Sequence, residues 1–99
     1  SWALVEEGGQ QRAGAWTGQD DSRLRALVDH AHRLGFWIRF YTLDGFTAAQ
    51  NRGWDQGYNF GSLEAATVRW HAALAAGVNL IATDQYEDLA REMKKENAQ

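Results

Sequence analysis

Apolar residues recur along the chain with two different periods, and the switches between them divide it into elements. Leu24, Leu27, Val28, Ala31 and Leu34 stand at i, i+3, i+4, i+7 and i+10, which is one stripe of an α-helix. Asp20, Asp21 and Ser22 before the stripe are N-cap types, and Gly35 after it is a left-handed stop. Leu63, Ala66, Trp70, Ala73 and Leu74 predict a second helix, capped by Ser62 and ended by Gly77. A third is predicted after Asp84, with Glu87 three residues on as in a capping box. Its apolar positions are few (Leu89, Ala90, Met93), and its polar end, 94–99, is expected to fray. Residues 36–42 and 78–83 are rich in aromatic and β-branched side chains and predict strands, as does the short apolar run 2–7. Residues 8–19 read as loop, and 43–61 as a long loop with glycines at 45, 53, 57 and 61. Strand and helix alternate three times, which predicts an α/β fold with parallel strands.

The strand over 36–42 has two unlike faces. Phe36, Ile38 and Phe40 are wholly apolar, whereas Trp37, Arg39 and Tyr41 each carry a polar handle. A strand buried on both faces of a parallel sheet is apolar on both, so the second face reads as the lining of a site or a barrel lumen. Three βα units leave two open sheet edges. A closed (β/α)₈ barrel would supply the missing neighbours, but takes about 250 residues. The 99 residues therefore read as part of such a barrel, completed by further strands or by self-association. A free-standing three-layer domain is the alternative. The opening on Ser1 and an apolar run, without Met or a basic leader, agrees with the first reading.

Composition narrows the function classes. Ten basic against thirteen acidic side chains, a net charge of −3, argue against a general nucleic-acid binder. No apolar run approaches the length of a transmembrane helix. The lack of cysteine excludes disulfides, thiolate zinc sites and a cysteine nucleophile, and leaves the compartment open.

Several segments together resemble one family. They are 35–45 (GFWIRFYTLDG), Trp54, 58–62 (YNFGS), Arg69 with Trp70, and 76–84 (AGVNLIATD). This set is similar to the C-terminal part of the phosphatidylinositol-phospholipase-C-like phosphodiesterases, which include the glycerophosphodiester phosphodiesterases. The resemblance spans roughly residues 2 to 90. It implies the last three βα units of a TIM barrel and a parent enzyme that cleaves a phosphodiester of glycerophospho- or phosphoinositide type. The family's catalytic histidines and carboxylates, and the divalent metal many members hold, belong to the first barrel strands. None of that half is in this sequence, so the resemblance implies a chain inactive by itself and without a complete metal site.

Arg39 is the strongest single candidate. A guanidinium in mid-strand between Trp37 and Tyr41 is costly unless paired, and can hold a phosphate bidentately. Its other reading is an ion pair with Glu6 or Glu7. Asp84 ends a strand, on the rim where this fold carries its sites. By resemblance it would orient or polarise a catalytic group; otherwise it is a helix N-cap. Glu6 also ends a predicted strand and is a candidate substrate contact. Trp54 and Tyr58, with Phe60, would form an aromatic substrate wall, unless that loop only packs upon itself. His30 and His32 do not share a helix face, and with His71 they read as surface residues rather than a metal set. The competing function is a non-catalytic α/β module that binds an anion or self-associates.

Overall fold

A computed structural model describes residues 2–40, 43–47 and 59–97, with side chains to 95. The predicted helices are all present. α1 spans Gly18–Arg33, α2 Leu63–Ala76 and α3 Tyr86–Asn97. Two short strands, β1 Arg39–Phe40 and β2 Leu80–Ile81, pair in parallel, with Arg39 opposite Leu80 and Phe40 opposite Ile81. The chain is thus a mixed helix-and-strand fold in which helix α2 carries the crossover between parallel strands.

α1 begins earlier than the predicted cap. Thr17 is the N-cap; its hydroxyl accepts from the Asp20 N–H while the Asp20 carboxylate accepts from the Thr17 N–H. Asp20 therefore closes a capping box from the third helical position instead of opening the helix. Ser62 caps α2 as expected, accepting from the Ala65 N–H, and Gly77 ends it at φ 88°. α3 begins two residues beyond Asp84, so the residue directly ahead of the helix is Gln85 rather than the predicted cap.

Residues 2–7 are the main departure. The run forms a 3₁₀ turn, Trp2–Leu4, followed by turns rather than a strand. Trp2, Val5 and Glu6 are buried while Ala3, Leu4 and Glu7 face solvent. That spacing, i, i+3, i+4, is helical, and in so short a run it cannot be told from a strand by hydrophobicity alone. Among the described residues the sheet consequently has two strands where three were predicted.

The core lies between the helices and one face of the strand pair. Leu24 and Val28 of α1, Ala66, Trp70 and Ala73 of α2, Phe40, Leu43, Val78 and Leu89 are buried together, with Ile81 packed against them. Trp2 completes this core from the N-terminal segment, placing its ring edge-to-face with Phe40 at 4.9 Å and with Phe60 at 5.8 Å. On the other face of the strand pair the described residues are exposed. Trp37 is 81% exposed, Leu80 is 51% exposed, and Arg39 faces solvent beside them. Phe36, expected on the apolar face, is also exposed, because the chain reaches it directly from the end of α1 before the strand begins.

Candidate functional site

The C-terminal ends of both strands meet at a pair of aspartates. Beyond β1 the chain reaches Asp44, which is 3% exposed. One Asp44 carboxylate oxygen accepts from the Thr83 hydroxyl at 2.5 Å and from the Asp84 N–H at 2.8 Å. Gln85 laces the same two ends together, its side chain accepting from the Gly45 N–H at 2.6 Å and donating to the Gly45 carbonyl at 3.2 Å. On the other side Phe60 donates its N–H to the Asp44 carbonyl at 2.8 Å. Asn59 there holds both the N–H and the carbonyl of Phe46 at 2.8 Å. Gly45 has to be glycine, since a Cβ would fall 2.0 Å from the Ser62 carbonyl oxygen at the start of α2.

Asp84 itself is exposed, at the edge of a cavity of about 430 Å³ lined by Phe46, Asp84, Gln85, Tyr86, Glu87 and Asp88. The hydrogen bond between its carboxyl and that of Asp44, with partial desolvation and the Asp44 charge, pushes the Asp84 carboxyl above the usual carboxylate range. An acidic group that keeps its proton longer than an ordinary aspartate can donate as well as accept. Sequence reasoning found Asp84 and missed Asp44, which it left in the loop. An aspartate followed by glycine at the end of an apolar strand was the available signal.

Glu6 occupies a different place. It is 5% exposed, and its two oxygens receive Arg69 Nε and a terminal Arg69 nitrogen, both at 2.9 Å. The Trp2 indole N–H adds a third donor at 2.9 Å. Arg69 also donates to the carbonyls of Gly14 at 2.6 Å and Ala65 at 3.1 Å, and lies over the rings of Trp16 and Phe60. The alternative reading of Arg39, an ion pair with Glu6, is not what the fold makes: Glu6 pairs with Arg69 of α2. Arg69 escaped notice as a partner because it sits 63 residues away, on a helix rather than on a neighbouring strand. Arg39 and Trp37 share the open sheet face. Tyr41, Trp54 and Tyr58 lie outside the described residues.

The histidines stand apart from the aspartates. His30 is exposed, and His32 lies 2.8 Å from the Asn79 side chain, at the opposite end of β2 from Asp84. His71 of α2 reaches Glu92 of α3 at 2.9 Å, and it is the first reason that the Glu92 carboxyl lies below its usual range. Among the described residues no three side chains of ligating type converge, so these residues alone do not fit a metal ion. Nor is any described helix long and apolar enough to cross a membrane. Comparison with protein-family models, curated proteins and solved structures returns no match.

Proposed function

We propose that the chain contributes C-terminal βα units to a TIM-barrel phosphodiesterase acting on a glycerophospho- or phosphoinositide-type substrate. The observation that carries this reading is the position of Asp44 and Asp84. They end adjacent parallel strands beside a cavity, which is where α/β barrels and open parallel sheets carry their chemistry. The sheet covered by helices on one face, with Trp37, Arg39 and Leu80 open on the other, agrees with a lumen that further strands would close. On this reading Arg39 holds the phosphate between Trp37 and Tyr41, Asp84 acts on or beside the reacting oxygen, and Trp54 and Tyr58 shape the substrate wall. Glu6 no longer belongs with them, since Arg69 and Trp2 already occupy its oxygens. Catalytic histidines would come from the strands that complete the barrel.

A non-catalytic anion-binding module is the second reading. It would use the exposed Arg39, beside the exposed Trp37, for the anionic ligand. Titrating the chain with glycerophosphoinositol and following the ³¹P signal tests what both readings share, and Arg39→Met should weaken binding by about tenfold or more, the loss of a charged hydrogen bond. Equal binding by the variant would remove Arg39 from the site. Cleavage of the phosphodiester once the complementary strands are supplied separates enzyme from module.

A further inference from the structure

Asp44 has so far only tied two strand ends together. Building on the reading of Asp84 as the acting carboxyl, we propose that Asp44 is its positioning residue and proton partner, the buried and fixed member of an acid pair whose other member faces the cavity. Three features of the geometry support this. Asp44 is 3% exposed and held by the Thr83 hydroxyl and the Asp84 N–H, so its carboxylate has one orientation. The bond to the Asp84 backbone fixes where the Asp84 side chain starts. Gln85 clamps Gly45 through both its N–H and its carbonyl, which prevents the two strand ends from parting.

Asp84, in contrast, is exposed and lines the cavity with Phe46, Gln85 and Tyr86. Among the described residues, the other charged groups lining that cavity are Glu87 and Asp88, from the first turn of α3. A second carboxyl beside Asp84 resists its ionisation. Asp84 therefore keeps its proton at the cavity to higher pH than a lone aspartate would.

The test is carboxyl-detected ¹³C NMR titration of the 99-residue chain. Asp84 should titrate above the ordinary aspartate midpoint of about 3.9. In Asp44→Asn the amide oxygen still accepts from Thr83 and from the Asp84 N–H, so the backbone spectrum should be retained while the Asp84 midpoint falls toward the ordinary value. An Asp84 midpoint at or below the ordinary value in the parent chain overturns the proposal, as does a midpoint that Asp44→Asn leaves unmoved. If Asp44→Asn does not fold, the parent titration alone decides. No substrate enters this measurement, so its failure is distinct from failure to bind or cleave a phosphodiester.

Discussion

Removing the charge of Glu6 should be among the most damaging conservative changes in this chain. Glu6→Gln keeps the size of the side chain but turns one carboxylate oxygen into an amide nitrogen aimed at the donors of Arg69. The guanidinium, 3% exposed, then keeps one neutral amide oxygen, the carbonyls of Gly14 and Ala65, and the Trp16 and Phe60 rings, with no counterion. Breaking one side of a buried pair in this way costs about 3–5 kcal/mol, because a charge stays buried without its counterion. A domain of this size has only about 5–15 kcal/mol in total. At about 4–8 °C per kcal/mol, the melting temperature should fall by about 12 °C or more. The double variant Glu6→Gln/Arg69→Met removes the stranded charge and should be more stable than Glu6→Gln alone. Urea unfolding followed by tryptophan fluorescence and far-UV circular dichroism measures both, since Trp2 and Trp16 border the pair. The exposed pair Arg33–Asp29 is the internal control, and its loss should cost at most about 1 kcal/mol. If Glu6→Gln cost no more than that control, or the double variant were less stable than Glu6→Gln, the argument would fail.

Two further outcomes follow from the strand ends. Gly45→Ala should strongly destabilise the fold, because the new methyl would meet the Ser62 carbonyl of the backbone and neither partner is a flexible side chain; a melting temperature within a few degrees of the parent's would show that α2 can move away. Asp84→Asn should stabilise the chain at neutral pH and lose that advantage in acid. Folding raises the Asp84 carboxyl, so the cost of ionising it is present above its folded midpoint and disappears as pH falls below the unfolded one. Thermal melts of both chains from pH 3 to 8 read this directly, and a stability difference that grows toward acid would contradict it.

The sequence was most legible where burial follows a single period and a cap marks the end. α1 and α2 show both, and the parallel pairing of Arg39–Phe40 with Leu80–Ile81 followed from strands separated by a helix. Legibility failed where the deciding contact was distant. The run 2–7 was read locally as a strand, yet its shape answers to Arg69, which takes Glu6, and to Phe40, which takes Trp2. Thr17 was passed over as a cap because three acceptor-bearing residues follow it, and only the backbone path shows that Asp20 turns back. At the site, Asp84 was visible from its place after a strand. Asp44 was not, because its role depends on Thr83 and Asp84 arriving beside it from β2. Arg39 was seen as a costly charge in a strand, but its face is open and its cost correspondingly lower.

The pair between Glu6 and Arg69 also joins parts of the chain that are far apart in sequence. It closes a separation of 63 residues, at a cost in loop entropy that local contacts do not carry. With Trp2 against Phe40 and Glu6 on Arg69, the N-terminal segment is a strap over β1 and α2: lifting it would uncover Phe40 and strand the Arg69 charge at once.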